Sequence, residues 1–213
     1  MTDRPLRKDA ELNRCKLVDA ARELFAERGL GVGLNEIARH AGVGVGTAYR
    51  HFPDKEALVE VLVERRQTQL ITLATRALDD PDPWHGLTEF LDQWLQLHLH
   101  DRSLTQIFTN PDLGQPRLDE SRDRIAPLLD AIADRARDAG RVRADFHGTD
   151  VFFIQLTLTG LVDRSRTLAP DLYRRYLAML LEGARSDPDP SVALPVAHLG
   201  VDQTHAVMTS RDH

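Results

Sequence analysis

The chain has 213 residues, of which 42% are hydrophobic and 28% are charged. This is an ordinary composition for one or two globular domains, and it excludes a disordered or collagen-like chain. With 27 Lys and Arg against 33 Asp and Glu, the net charge is -6, which over the whole chain argues against a polyanionic partner. The single cysteine, Cys15, excludes an intrachain disulfide, and we interpret it as a partly buried, unreactive thiol.

The sequence contains no segment that is typical of a signal peptide or a membrane span. Met1–Ala10 is charged, and the longest apolar run, Val151–Val162, is flanked by Asp150 and Asp163. As a helix this run extends roughly 18 Å, whereas a bilayer requires about 20 apolar residues. We therefore expect a cytoplasmic protein with no membrane partner, in which the run is a buried helix.

Apolar residues recur at offsets of three and four along almost the whole chain, which predicts an all-α fold. A long helix is predicted from about Lys55 to Leu78. The stretch 151–158 is rich in Val, Phe, Ile and Thr, but as a strand it would have no second run to pair with. Clusters of glycine and proline mark the predicted breaks between helices, at 29–33, 41–44, 53–54, 79–83, 110–116, 140–148 and 169–170.

The closely spaced breaks at the front indicate a small helical unit, which is followed by a larger helical unit. After Arg185 the helical pattern ends, and the tail over 186–213 is predicted to be disordered. The charge is divided in the same way, because residues 1–55 hold ten Lys and Arg against eight Asp and Glu, a net charge of +2, and the remaining residues carry -8. The front of the chain is therefore where we expect contact with nucleic acid.

Three short helices in the first third, the second and third of which are joined by a tight glycine-containing turn, predict a helix-turn-helix motif. Ala38 is small enough for close helix packing, Gly42 supplies the turn, and Ala48 and Phe52 form the buried face of the third helix. The outward face of that helix combines small, hydroxyl-bearing, aromatic and basic residues, which suits contact with bases and phosphates in a major groove. Its residues are Val45, Gly46, Thr47, Tyr49, Arg50 and His51.

Four motifs of the front region carry a resemblance to a known family. They read KLVDAARELFAERG at 16–29, LNEIAR at 34–39, AGV at 41–43 and GTAYRHFPDKEAL at 46–58. Over roughly Asn13–Arg66 the chain closely resembles the DNA-binding domain of the TetR family of bacterial transcriptional regulators. The resemblance implies a DNA-binding domain over 13–66 with its helix-turn-helix at 33–52, preceded by a flexible basic arm over 1–12 and followed by a helical ligand-binding and dimerisation domain over 67–185. The resemblance implies a homodimeric, ligand-responsive regulator, most often a repressor, that binds operator sites in double-stranded DNA and is not an enzyme.

The resemblance also assigns DNA-binding residues position by position. Those that match the family's usual contacts to the DNA backbone are Thr47, Tyr49, His51 and Lys55, and those that face bases are Val45, Gly46 and Arg50.

Three positions depart from the family pattern. Gly33 and Gly44 stand where many members have Ser or Thr at a helix N-cap, a change that costs a few tenths of a kcal/mol and leaves the helices intact. Val45 stands where Lys is common, so we expect fewer hydrogen bonds to bases there and more reliance on backbone contacts and DNA shape. The basic residues of the arm either supply the missing charge along the groove or form a solvated, frayed terminus; they are Arg4, Arg7 and Lys8.

An aromatic-rich face is predicted on the helix that follows Pro83, at Trp84, Leu87, Leu91, Trp94 and His98. This face belongs to the core or, in a family that holds a small effector inside its C-terminal bundle, lines a pocket. In the second case the predicted ligand-binding residues are Trp94, His98, Gln155 and Thr159. His98 and His100 lie two residues apart on a helix and cannot share an ion, so we predict no metal and no other cofactor.

Two helices, at 149–167 and 170–185, are predicted to form the homodimer interface. The first is apolar on almost every side, and the second carries a stripe at Leu172, Tyr173, Tyr176, Leu177 and Leu180, which together would leave a large exposed patch on a monomer. A symmetric dimer sets its recognition helices about 34–36 Å apart for a palindromic operator. We expect ligand binding in the bundle to tilt the helix 55–78, spread this distance and release the DNA.

Two other functions remain open at the level of the sequence. One is a helical small-molecule-binding protein or enzyme with a vestigial DNA-binding domain, which the salt dependence of operator binding distinguishes from a regulator. The other is a purely structural dimerisation protein, which would give no packing reason for the exposed Thr-x-Tyr-Arg-His face at 47–51.

Overall fold

The computed structural model describes residues 4–101, 103, 107 and 111–187. This part of the chain contains eight α-helices and no β-strand, which confirms the predicted all-α fold. The helices are α1 (Arg4–Arg28), α2 (Leu34–His40), α3 (Val45–His51), α4 (Lys55–Asp79), α5 (Pro83–His100), α6 (Pro111–Asp138), α7 (Gly148–Ser165) and α8 (Leu172–Ala184). Among these helices, none is both long and apolar enough to cross a membrane.

The described residues divide into two compact units, 4–68 with 101–121, and 69–100 with 122–187. The first unit packs α1, α2, α3 and the beginning of α4 around fully buried apolar side chains. Phe25, Ile37 and Leu58 supply the largest of these from three different helices. Burial of each such side chain stabilises the unit by about 1.5–3 kcal/mol.

The second unit surrounds a separate apolar core. Leu91 of α5, Ala133 of α6, Val162 of α7 and Tyr173 of α8 are all fully buried in it. The Tyr173 hydroxyl donates a hydrogen bond of 2.9 Å to Oδ1 of Asp92, and burial raises the pKa of Tyr173 to about 12. The core therefore keeps this phenol protonated and satisfies its donor.

The turn between α2 and α3 depends on Gly42. Its φ of 64° lies in the left-handed region. The Gly42 N–H donates to the Arg39 carbonyl at 3.2 Å and the Val43 N–H donates to the Ala38 carbonyl at 2.9 Å, which together form a Schellman motif. The predicted role of Gly42 in the turn is confirmed, because a residue with a side chain adopts this backbone conformation at a cost.

The prediction of a flexible arm over residues 1–12 is wrong from Arg4 onward, where α1 begins. Pro5 suits the first turn of a helix, because its missing N–H needs no partner there. Most of the residues that follow it, from Leu6 to Leu12, are strong helix formers. The charge of this stretch suggested a solvated arm, but its high helix propensity is the property that agrees with the structure.

A predicted helix break and a predicted domain boundary also differ from the structure. The break at 110–116 is wrong, because α6 begins at Pro111 and continues through Pro116. Pro111 suits a first helical position, whereas Pro116 lies inside the helix, where it lacks the N–H for one backbone hydrogen bond. The predicted second domain over 67–185 is interrupted, since Ile107 is fully buried in the core of the first unit. Of the predicted tail, 188–213 lie outside the described residues, and the Ser186 N–H donates to the Arg141 carbonyl at 3.3 Å.

Replacement of Gly42 by Ala is expected to lower the free energy of unfolding by about 1 kcal/mol, because alanine resists a positive φ. There is space for the added methyl group, since nothing lies within 4 Å of an ideal Cβ at this position, so the loss reports backbone conformation alone. Urea unfolding followed by circular dichroism measures it. The control is Gly46→Ala in α3, where the space is also open and alanine should leave stability unchanged or raise it; equal stability of both variants would contradict this account.

Candidate nucleic-acid interface

Backbone hydrogen bonds set where α3 begins. The Thr47 and Ala48 N–H groups donate to the Gly44 carbonyl at 2.8 and 2.9 Å. Gly44 is the N-cap of α3, and no side-chain hydrogen bond caps this helix. Gly33 is likewise the N-cap of α2. Both helices therefore form with glycine at the cap, as expected from its small energetic penalty relative to serine.

The inward face of α3 holds the helix in place. Ala48 is fully buried and Phe52, which follows the helix, is 2% exposed. The guanidinium of Arg14 lies 5.4 Å from the centre of the Phe52 ring, in cation–π contact. Ala48 and Phe52 were predicted to face the core, and the structure confirms that they do.

The outward face of α3 brings six of the seven predicted DNA-binding residues together. Val45 is 40% and Tyr49 is 49% exposed. Gly46 and Arg50 are exposed as well, while Thr47 and His51 are half-buried. Within the described part of the chain Arg50 forms no ion pair, so its guanidinium is available to a phosphate or a guanine edge.

Lys55, the seventh predicted residue, is the first residue of α4 and has a structural contact that the sequence did not predict. Its ammonium group donates a hydrogen bond of 2.8 Å to the carbonyl of Leu30, which lies in the connection between α1 and α2. An ammonium group carries three N–H donors, so this bond leaves two for a phosphate. Because the partner is a backbone carbonyl 25 positions away, no sequence pattern indicates it.

The other ionic contacts of the first unit lie away from α3. His40 Nε2 lies 3.0 Å from Glu23 Oε2, and Arg65 Nη1 lies 3.4 Å from Asp19 Oδ1. Exposed pairs of this kind contribute little to stability. Asp19 neutralises Arg65 outside α3, whereas within the described residues neither Arg50 of α3 nor Lys55 of α4 has an acidic partner.

The structure places the four predicted ligand-binding residues on α5 and α7 of the second unit. His98 Nε2 lies 3.1 Å from Asp163 Oδ1. The Thr159 hydroxyl donates to the carbonyl of Gln155 at 2.9 Å, and the Trp94 ring packs 5.5 Å from that of Phe90. None of these contacts includes a ligand, so their role in binding stays a prediction.

A surface groove of about 460 Å³ lies elsewhere on the second unit. It is formed by α7, α8 and the segment between α6 and α7, and includes none of the four predicted ligand-binding residues. No sequence pattern indicates this groove, because three separate segments contribute its walls. Its lining residues are Arg143, Asp145, Phe146, Asp150, Phe153, Ile154, Thr157, Leu180, Gly183 and Ala184.

The helices predicted to form a dimer interface expose only part of their apolar surface. Leu172, Tyr173 and Leu177 are buried in the core of their own unit, so the predicted stripe on the last helix is wrong at these three positions. Helical periodicity identified an apolar face but could not tell which neighbour covers it. The large exposed apolar residues on the two helices are Phe152, Phe153, Leu156, Tyr176, Met179 and Leu180, a set that we call the α7–α8 face.

Comparisons with known proteins agree with this architecture. Residues 17–62 match the family model for bacterial regulatory proteins of the TetR family, and residues 82–186 match the model for the C-terminal domain of SbtR-like transcriptional regulators. An HTH-type transcriptional regulator of Staphylococcus aureus is 35% identical over 103 residues, which cover 47% of this chain and 56% of the relative. The chain thus spans little more than half the length of this curated relative.

Solved structures match over a larger share of the chain. A TetR transcription regulatory protein from Mycobacterium vanbaalenii is 30% identical, with a TM-score of 0.62 over 85% of this chain and 99% of the other. The TetR regulator SCO0520 from Streptomyces coelicolor is 29% identical, with a TM-score of 0.62 over 81% of this chain and 98% of the other. The helix-turn-helix at α2–α3, the helical second unit and these matches lead to one conclusion: the chain belongs to the TetR family of DNA-binding transcriptional regulators.

Proposed function

We propose that this protein is a homodimeric repressor that binds a palindromic operator and is released from it by a small molecule bound in the second unit. The observation that carries the proposal is the outward face of α3. It holds an exposed tyrosine and an unpaired arginine on a helix whose opposite side is buried. A stable fold does not require such a face, whereas a recognition helix does.

On this proposal the residues of α3 divide between backbone and base contacts. The Thr47 hydroxyl and the His51 imidazole bind phosphates, and Lys55 adds an ammonium group beside them. Arg50 reaches a phosphate or a guanine edge, and the Tyr49 ring lies against a thymine methyl group or the sugar backbone. Val45 and Gly46 offer no hydrogen-bonding side chain, so part of the specificity comes from DNA shape.

The exposed apolar residues of the α7–α8 face support a symmetric dimer. Phe153 is 58% and Leu156 is 54% exposed, and neighbouring apolar side chains on one face favour association. Two copies of a self-complementary face related by a twofold axis cover each other. Such a dimer would present two α3 helices to successive major grooves of a palindrome.

Release by an effector follows from the same arrangement. α4 begins at Lys55, a proposed phosphate contact, and runs as one helix to Asp79 in the second unit. An effector that binds more tightly to a state with splayed α3 helices shifts the population toward that state. The proposed effector-binding residues lie on α5 and α7 of the second unit. They are Trp94, His98, Gln155 and Thr159.

Substitution of Tyr49 or Arg50 by Ala is expected to weaken operator binding by about tenfold or more, because each removes a contact to DNA. Both side chains are exposed, so thermal stability should remain that of the wild type. Fluorescence anisotropy with a duplex containing the palindrome upstream of the gene measures the affinity. Arg65→Ala is the control, since it removes an equal charge outside α3; a loss as large in this control would mean that net charge alone determines binding.

Lys55→Ala is expected to lower both stability and DNA affinity, in contrast to Tyr49→Ala. The variant loses a hydrogen bond to the Leu30 carbonyl, a loss of about 1 kcal/mol, together with a phosphate contact. Thermal unfolding and anisotropy on the same preparations separate the two effects. A Lys55→Ala protein that is less stable but binds the operator with wild-type affinity would exclude the phosphate contact.

Leu156→Asp is expected to convert the dimer to a monomer, because it places a charge at the centre of the α7–α8 face. An isolated monomer should bind DNA poorly, since the two half-sites no longer act together. Light scattering coupled to size-exclusion chromatography measures the mass. Leu12→Asp changes an equally exposed leucine outside this face and should remain dimeric; a dimeric Leu156→Asp protein would contradict the assigned interface.

A further inference from the structure

A buried amide oxygen on α7 lacks a hydrogen-bond donor. Gln155 is 6% exposed, and its Oε1 atom has no partner within the described part of the chain. A buried polar atom without a partner is uncommon in a folded protein, and it indicates strain, a water or a ligand. This oxygen can therefore accept a hydrogen bond from a donor outside the described residues.

The orientation of the Gln155 amide follows from the hydroxyl of Thr159. That hydroxyl donates its single proton to the Gln155 backbone carbonyl at 2.9 Å, so toward the amide it can only accept. The amide nitrogen Nε2 accordingly lies 3.4 Å from Thr159 Oγ1. An amide turned the other way would bring two acceptors together, so it is the oxygen that is left for an external donor.

The charges on the same side of α7 favour a neutral donor. Gln155, Thr159 and Asp163 are spaced by four along α7 and share one side of the helix. The Asp163 carboxylate already accepts from His98 Nε2 at 3.1 Å and from Arg166 Nη2 at 3.2 Å, so its charge is compensated. A buried ammonium would lack a counter-charge here, and a carboxylate would face an oxygen acceptor; each would lose its hydration without compensation.

We infer that the effector is an uncharged, largely apolar molecule with a hydroxyl group, an alcohol or a phenol, and that this hydroxyl donates to Oε1 of Gln155. The inference rests on the proposed release of the repressor by a small molecule. Leu91, Leu95 and Leu158 belong to the apolar core of the same unit, so an apolar ligand suits this part of the protein better than a polar one. The hydroxyl supplies the donor that no described residue provides.

The inference is tested with four aromatic probes of similar size on the full-length wild-type protein. They are 2-naphthol, its methyl ether 2-methoxynaphthalene, 2-naphthoate and 2-naphthylmethylammonium, and isothermal titration calorimetry measures their affinities. We expect 2-naphthol to bind about tenfold more tightly than the ether, in which a methyl group replaces the hydroxyl proton, and both ions to bind more weakly than 2-naphthol. A wild-type protein that binds the ether or an ion as tightly as the alcohol, or that binds none of the four, overturns the inference.

Two variants then locate the hydroxyl. Gln155→Leu removes the acceptor and should bind the alcohol and the ether equally, whereas Thr157→Val, a polar-to-apolar change at an exposed position of α7, should keep the preference. Thr157 lines the surface groove, so a preference lost in Thr157→Val and kept in Gln155→Leu would place the ligand in the groove and overturn the assignment. Circular dichroism and operator binding verify that both variants fold.

Operator binding separates this inference from the function on which it rests. 2-Naphthol should weaken binding of the wild-type protein to operator DNA and leave that of Gln155→Leu unchanged. Absence of operator binding without any probe would refute the repressor, whatever the probes do. Operator binding that persists with no preference for the alcohol would refute only the effector chemistry.

Discussion

A recognition helix of seven residues is too short to be stable by itself, because the first turn of a helix fixes more conformational freedom than its hydrogen bonds return. α3 therefore depends on burial of its inward face, Ala48 and Phe52, in the core of the first unit. The Schellman turn at Gly42 directs the chain from α2 into α3. The exposed positions of α3, which the proposed function assigns to DNA, are oriented by contacts that are entirely on the other side of the helix.

α7 combines three environments on one helix of 18 residues. Val151, Leu158 and Val162 are buried in the core of their unit, and Phe152, Phe153 and Leu156 are exposed, all within 151–162. A third line contains Gln155, Thr159 and Asp163, polar side chains with little exposure. The buried apolar side chains stabilise the unit, and the exposed ones favour association. The polar side chains include Gln155, whose Oε1 we assign as the hydrogen-bond acceptor for the effector.

Local residue chemistry accounts for how much of the fold and of the site was predictable. Periodicity of three and four identified nearly all of the helices, and the glycines at Gly33, Gly42 and Gly44 marked caps and a turn at their correct positions. Errors arose where two local signals competed, as at the N-terminus, where charge outweighed helix propensity, and at Pro116, where a breaker lies inside a helix. The seven proposed DNA contacts came from a dense sequence motif, and six of them share one helix because they are consecutive or nearly so.

The sequence by itself determined the all-α class, the helix-turn-helix, the family and the residues of the recognition helix, because these depend on spacing and residue type within short stretches of chain. Tertiary structure alone decided that Lys55 binds the Leu30 carbonyl, that Ile107 belongs to the first core, and that three of the five residues in the last helix's apolar stripe face their own unit. It also decided that Oε1 of Gln155 lacks a partner. The first three are contacts between residues far apart in the chain, and the last is the absence of such a contact. Neither kind of feature produces a periodic pattern in the sequence.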